Sequence, residues 1–381
     1  MTFLMIANSP SSLLNFRLNL IKSLQAAGYI VHAACPIADQ TQSERIVLAQ
    51  HGVTVHHIPM SRTGLNPLSD LVTLHALYKL MRALRPKAVL SYTIKPVIWG
   101  SLAAFFANVP NRFALITGLG YVFADDAQSS KKQKLIRRAV ESLYALALNR
   151  CARIFFQNPD DESLFRQLGI IKNTVPTTVV KGSGVDLLHF EASPLPDQPV
   201  FILIARLLID KGVRQYAEAA AQLKSRHPRA KFKLVGYLDE NPKSIKQAEL
   251  DAWIASGEID YLGKLSDVRP ALSQASVFVL PTFYREGIPR TILEALAMGR
   301  AVITTDTPGC RETVVQGVNG YLVEPRSVED LVGAMEKFIH DAALAAKMGE
   351  ASLELARKDF DVNKVNIQML HGMDIHDKTT I

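Results

Sequence analysis

Two glutamates are the first candidates for chemistry, Glu286 and Glu294, set seven residues apart in the run Phe283-Tyr284-Arg285-Glu286-Gly287-Ile288-Pro289-Arg290-Thr291-Ile292-Leu293-Glu294. Upstream, the run from Ala275 to Pro281 is short, apolar and β-branched and ends at a proline, which predicts a buried strand. Downstream, Thr291 to Met298 carries strong helix formers and stops at Gly299. Glu286 is therefore expected at the carboxyl end of a strand, the edge at which open α/β sheets take ligands. The amides of Gly287 and Ile288, at the helix start, can face a diphosphate or sugar oxygens there. Eight positions of regular helix rise separate the two carboxylates by about 12 Å, too far for the roughly 5–9.5 Å pairs that hydrolyse glycosidic bonds. The glutamates thus read as two ligands with separate duties: Glu286 for sugar hydroxyls and Glu294 for ribose hydroxyls.

The segment resembles the E-x7-E signature of the retaining family 4 glycosyltransferases of the GT-B fold, and the likeness extends over nearly the whole chain. A second mark is Phe201-Ile202-Leu203-Ile204-Ala205-Arg206-Leu207-Leu208-Ile209-Asp210-Lys211-Gly212, similar to the family's strand and loop whose arginine and lysine grip the donor diphosphate. The resemblance puts that duty on Arg206 and Lys211. The physics agrees, because the leaving diphosphate gains negative charge as the glycosidic bond breaks, and fixed cations stabilise that state more than the ground state. Glu286, Arg206 and Lys211 are the expected catalytic residues, and Glu294, Gly287, Ile288 and Pro289 the expected donor-binding ones. Further on, Ala301 to Asp306, Pro308-Gly309-Cys310-Arg311-Glu312 and Gly317 to Val323 follow the order of the same family's carboxyl-terminal domain. Asn319-Gly320 is a turn signal, and Pro308-Gly309 is expected to shape a loop near the site.

Strand and helix patterns alternate along both halves. Strands are expected near 2–7, 30–35, 53–58, 87–92, 112–116, 153–157 and 177–181, then near 200–205, 230–235, 259–262, 276–280, 301–304 and 321–323. Between them lie helical patterns, the clearest running from Leu68 to Leu84, and in the second half near 210–226, 242–256, 266–274, 290–299 and 328–340. The fold class is α/β: two doubly wound, Rossmann-like domains facing each other across a cleft, as in GT-B. Residues 1–185 form the expected acceptor-binding domain, 186–199 a proline-rich linker, and 200–360 the nucleotide-sugar domain. In the family the final segment, here 361–381, crosses back to the first domain.

Composition narrows the partners. At 381 residues with 48% hydrophobic content, the chain can build two cores. Cys35, Cys151 and Cys310 are far apart, which argues against a disulfide framework or a zinc ribbon and fits a reducing cytoplasm. The start, Met1 to Asn8, reads as a first buried strand rather than a secretion leader, and no run reaches the length of a spanning helix. Residues 1–150 hold 16 Lys or Arg against 6 Asp or Glu, so the positive charge sits in the first half. Its densest part, Lys131 to Tyr144, places Leu135, Ile136, Ala139, Val140, Leu143 and Tyr144 at helical spacing behind a basic start. Such a helix can lie on an anionic membrane surface, or pack on its domain through the apolar stripe; the two are compatible. Nucleic acid is not expected as a partner, since no zinc finger, RNA-recognition motif or aromatic-interleaved basic strip is present.

Acceptor contacts are expected in the first half. Thr117-Gly118-Leu119-Gly120-Tyr121-Val122-Phe123 begins like a dinucleotide fingerprint but has phenylalanine where the third glycine belongs, so Gly118 and Gly120 read as a close-approach loop. Such a loop matches one in a bacterial surface-glycan subset of the family. Lys95, in Tyr92-Thr93-Ile94-Lys95-Pro96, either meets an acceptor diphosphate or is an ordinary loop lysine. Where many family members have paired glycines, this chain has Ser9-Pro10-Ser11-Ser12, in which Ser11 can offer a hydroxyl to an acceptor. Many members also place a histidine near the fourth strand, but this chain has Thr93-Ile94-Lys95, and His56 and His57 read as structural. Asp359-Phe360-Asp361 spells D-x-D yet follows a helix and reads as a cap or turn, so no metal and no other cofactor is expected. The resemblance implies transfer, with retention, of a hexose or N-acetylhexosamine from a nucleotide sugar, UDP by family habit. The expected acceptor is a polyprenyl-diphosphate-linked or other bacterial cell-surface glycan, handled at the inner face of the plasma membrane. The alternative is a sugar-nucleotide epimerase of the same fold, which needs no acceptor.

Overall fold

The computed structural model describes residues 1–38, 41–61, 66–119, 123, 131–239, 241 and 243–376, with the backbone alone at 131, 132 and 342. The chain forms two compact units: Met1–Ser183 together with Asn363–Ile381, and Gly184–Val362.

The first unit runs β1 (Thr2–Ile6), α1 (Pro10–Ala26), β2 (Ile30–Cys35), α2 (Gln42–Gln50), β3 (Thr54–His57), α3 (Pro67–Leu84) and β4 (Ala88–Tyr92). A π-helical turn at Pro96–Gly100 then leads into α4 (Ser101–Phe106), β5 (Asn111–Ile116), α5 (Lys131–Leu148), β6 (Arg153–Phe156), α6 (Pro159–Gln167) and β7 (Thr177–Val179). The seven strands form one parallel sheet in the order β3-β2-β1-β4-β5-β6-β7. Helices cover both faces, so central strands such as β1 are apolar at nearly every position; Phe3, Leu4, Met5 and Ile6 are fully buried. On one face α3, α4 and α5 pack through Leu77, Met81, Ala103, Leu102, Val140 and Tyr144. On the other, α1 and α2 bring Leu13, Leu20 and Leu48 onto Phe3, Met5 and Leu90. Local chemistry sets the helix starts: Ser9 accepts from Ser12 N ahead of Pro10, and Asn66 caps α3 ahead of Pro67.

The second unit contains β8 (Val200–Ile204), α7 (Val213–Arg226), β9 (Lys231–Val235), α8 (Gln247–Ala255), β10 (Asp260–Tyr261), α9 (Arg269–Ser273) and β11 (Val277–Leu280). It continues with α10 (Arg290–Ala297), β12 (Ala301–Thr305), β13 (Gly320–Val323), α11 (Val328–His340) and α12 (Ala342–Leu355). Its sheet is also parallel, in the order β10-β9-β8-β11-β12-β13. Finally α13 (Val362–Gly372) takes the chain into the first unit, where Val365, Met369 and Leu370 join the core around Phe3 and Met5, and Gln368 Nε2 donates to Val179 O at 3.0 Å.

Residues 186–199, read from their prolines as a linker, group with the second unit. They hold acceptors for Arg300, whose guanidinium is fully buried. It donates through Nη1 to Ser193 O at 2.6 Å and through Nη2 to Ser193 Oγ at 2.7 Å and Pro194 O at 3.1 Å, with Nε on Leu272 O at 3.0 Å. Proline-rich chain has carbonyls to spare, and here they satisfy a buried cation. Burial nonetheless lowers the Arg300 pKa to about 10.

Candidate functional site

The strand order of the second unit reverses between β8 and β11, and both loops that leave the carboxyl ends of these strands carry the predicted residues. After β8 the chain passes through Arg206 and a 3-10 turn at Ile209–Lys211 to Gly212; after β11 it passes through Thr282, Tyr284 and Glu286 to α10. Three hydrogen bonds stitch the loops together, because Asp210 O accepts from Thr282 Oγ1 at 3.0 Å, Phe283 N at 2.9 Å and Tyr284 N at 3.1 Å. Gly212, at φ 76°, permits this approach: a Cβ there would lie 2.1 Å from Pro281 O.

Lys211 Nζ and Glu286 Oε1 form an ion pair across the stitched loops, and both side chains are largely buried. Thr282 Oγ1 lies 3.4 Å from the same carboxylate oxygen, and Lys211 Nζ sits 5.4 Å from the centre of the Tyr284 ring. Burial first, and the Glu286 carboxylate second, push the Tyr284 phenol up to about 12. Arg206 stands at the rim with 40% of its side chain exposed, and its Nη1 donates to Asp239 Oδ2 at 3.2 Å. Lys243 Nζ holds Asp210 Oδ2 at 2.8 Å. The edge is therefore cationic at three points, each cation steadied by a carboxylate rather than left loose.

Pressure from a third loop holds the Glu286-Gly287 turn. Gly309, at φ 84° in the loop after β12, is packed so closely that a Cβ would fall 1.5 Å from Gly287 O and 2.9 Å from Glu286 O. This gives Pro308-Gly309 a definite task. Cys310 beside it is fully buried, and burial, then Glu286, raise its thiol to about 12, so it is inert packing. Gly287 and Ile288 precede the helix rather than open it, since α10 begins at Arg290 with Pro289 in the cap position. Ile288 is buried in the core around Phe278 and Leu293 and anchors the turn. Glu294 is buried on α10, where Arg290 Nε donates to its Oε1 at 2.7 Å. Burial outweighs that partner and raises the carboxyl pKa above the ordinary glutamate range.

In the first unit the reversal lies between β1 and β4, which pair with Ile6 opposite Ser91. Just past their carboxyl ends come Asn8 and Thr93. Asn8 Oδ1 and Thr93 Oγ1 are buried and, among the described residues, have no hydrogen-bond partner. Thr93 also has φ 69°, an uncommon conformation that costs a β-branched residue about 1–3 kcal/mol. Neither residue was singled out by sequence reasoning; a threonine gives no sign of its φ. The residues that were singled out have local partners. Ser11 Oγ donates to Glu44 Oε1 at 2.8 Å, while Lys95 Nζ donates to buried Asp70 at 2.9 Å and to Ser61 Oγ at 2.8 Å. Gly118 has φ 105°, and Gly120 lies outside the described residues. His56 stacks on His32 with Nε2 2.9 Å from its Nδ1, and His57 Nδ1 accepts from Ile37 N.

Two parallel-sheet α/β units with polar loops at the carboxyl edges of both sheets define the GT-B class of glycosyltransferase. Solved structures agree: Anabaena HepE in complex with UDP superposes with a TM-score of 0.77 at 19% identity, covering 98% of this chain and 100% of that one. The Staphylococcus aureus protein TarM superposes at 0.74 with 12% identity, covering 98% of each. The family model described as "Glycosyl transferase 4-like" matches residues 4–158, and the one described as "Glycosyl transferases group 1" matches residues 186–354. A Campylobacter jejuni enzyme, N,N'-diacetylbacillosaminyl-diphospho-undecaprenol alpha-1,3-N-acetylgalactosaminyltransferase, is 31% identical over 91% of both chains. An Escherichia coli UDP-Gal:alpha-D-GlcNAc-diphosphoundecaprenol alpha-1,3-galactosyltransferase is 26% identical over 77% of this chain and 76% of that one. The chain belongs to the family 4 glycosyltransferases of the GT-B fold.

Proposed function

We propose that this glycosyltransferase moves an N-acetylhexosamine or hexose from a UDP-linked donor to a polyprenyl-diphosphate-linked saccharide, with retention at the anomeric carbon. The observation that carries this reading is the Lys211–Glu286 pair set beside Arg206 at the β8/β11 edge. Arg206 and Lys211 suit the donor diphosphate, whose charge grows as the glycosidic bond breaks. Once a diphosphate draws on Lys211, the Glu286 carboxylate is available to sugar hydroxyls, and buried Glu294 to those of the ribose. The acceptor hydroxyl attacks from the face that the diphosphate leaves, and the departing phosphate oxygen takes its proton, so the chemistry needs positioning and charge rather than a protein nucleophile. UDP as carrier and a lipid-diphosphate acceptor are supported by what the names of the Campylobacter and Escherichia relatives state of those enzymes.

A lipid-borne acceptor calls for contact with a membrane surface. Among the described residues, no helix is long and apolar enough to cross a membrane. The outer surface of α3 instead exposes Leu68 at 75%, with Leu71 and Val72 beside it. On α5, Leu135 is 69% exposed between exposed Lys134 and Arg138, not packed inward with Val140 and Tyr144 as the stripe predicted. Apolar side chains among cations suit an interfacial helix on anionic lipid. The test is a mass-spectrometric donor screen with polyprenyl-diphosphate-linked mono- and disaccharides in anionic vesicles. The expected product is acceptor mass plus one hexosyl or N-acetylhexosaminyl unit, dependent on the lipid-linked acceptor. Conversion of the UDP-sugar to an epimer or free sugar without acceptor would overturn the transferase reading.

A further inference from the structure

At the far end of α7 and α11, away from the β8 and β11 loops, three metal-ligating side chains converge. His227 caps the carboxyl end of α7, and Glu336 and His340 stand four apart on the last turn of α11. One ligand atom from each lies within 4.8 Å of the other two. His227 Nε2 is 3.6 Å from Glu336 Oε1, and the two imidazole rings meet edge to face with centroids 5.2 Å apart. We propose that His227, Glu336 and His340 form a divalent transition-metal site, best suited to zinc, that clamps α7 to α11.

The donor set and its spacing carry the assignment. Two imidazole nitrogens and one carboxylate are a set that zinc accepts with one position left to water. Tetrahedral bonds of about 2.0–2.1 Å put neighbouring ligand atoms about 3.4 Å apart, close to the observed 3.6 Å, and small side-chain rotations bring in the third. The two helices both end here, and their final carbonyls give the point a partial negative charge that favours a cation. Arg226 already donates to Glu336 Oε1, but its side chain is 49% exposed and can swing into water at little cost. Because α7 follows β8 and runs back along the sheet, the cluster lies at the edge opposite the donor loops. It is therefore assigned to holding the helix pair that covers the core around Phe201 and Met335, not to transfer chemistry.

The full chain, without an affinity tag and freed of metal with EDTA, is titrated calorimetrically with zinc chloride beside His227→Ala, His340→Ala and Glu336→Gln. The three cysteines are buried and do not compete. One equivalent bound by the wild type is expected, weakened at least about tenfold by each substitution. Zinc should raise the melting temperature of the wild type and leave that of the two alanine variants unchanged. These partly exposed positions tolerate substitution, and circular dichroism of the metal-free proteins checks their fold. No stoichiometric binding by the wild type, or variants that bind as tightly as it does, would overturn the site.

Discussion

Both units reverse their strand order beside their first strand, β1 against β4 and β8 against β11, yet the two carboxyl edges differ in which groups they leave for a ligand. Beyond β8 and β11 the loops carry a set of ion pairs: Lys211 with Glu286, Arg206 with Asp239, Lys243 with Asp210. Beyond β1 and β4 there is also an ion pair, Lys95 with Asp70, but two buried neutral atoms, Asn8 Oδ1 and Thr93 Oγ1, are without partners among the described residues, and one sits on a strained backbone. A diphosphate is recognised by fixed cations in a rigid frame, which costs no reorganisation when charge develops. A saccharide hydroxyl needs dipoles that are waiting for it. On the proposed reading, one topology supports a donor edge built on ion pairs and an acceptor edge that keeps unpartnered neutral dipoles.

Three substitutions test this contrast, in order of expected effect. Glu286→Gln keeps the shape of the donor edge and removes its central charge, so kcat/KM should fall by about 10²–10³-fold with circular dichroism unchanged. A loss smaller than about threefold would take Glu286 out of the machinery. Thr93→Gly relieves the positive φ, and after the entropy cost of glycine should stabilise the fold by about 1 kcal/mol in a denaturant titration. The same variant should raise the acceptor KM several-fold and leave the donor KM alone; a parallel rise in both would erase the distinction between the edges.

Glu294→Gln has the smallest effect and reads out in pH. The folded carboxyl holds its proton above the ordinary value of 4.5, chiefly because it is buried. As pH rises through that value the unfolded chain ionises first, so wild-type stability should decline relative to the glutamine variant and level off once the folded group has also ionised. A flat difference between the two chains across mildly acidic pH would contradict the burial of this group.

Much of this was legible in the sequence, and what was not has physical reasons. Every strand lies within two residues of its expected place, because the central parallel strands are short, nearly continuous apolar runs that stand out between amphipathic helical patterns. The helix α12 was missed: only Asp341 separates it from α11, so no breaker marks the join, although the Asp341 side chain caps the new helix. The Lys211–Glu286 pair joins residues 75 positions apart; their types were visible, their contact was not. Asp239 enters the site only because β9 flanks β8, which spacing along the chain does not reveal, whereas Gly309 was expected near it and packs against the Glu286-Gly287 turn. Leu135 shows the reverse failure, since helical spacing cannot tell an inward leucine from one kept outside.

The most direct measurement is calorimetric titration of UDP into the wild type, the Arg206→Ala/Lys211→Ala double variant and Thr93→Gly. Charge-assisted contacts of this kind are each worth about 1.5–3 kcal/mol, so the double variant should lose at least about tenfold in affinity while Thr93→Gly binds as the wild type does. Equal UDP affinity in the double variant and the wild type would contradict the assignment of the charged β8/β11 edge to the donor.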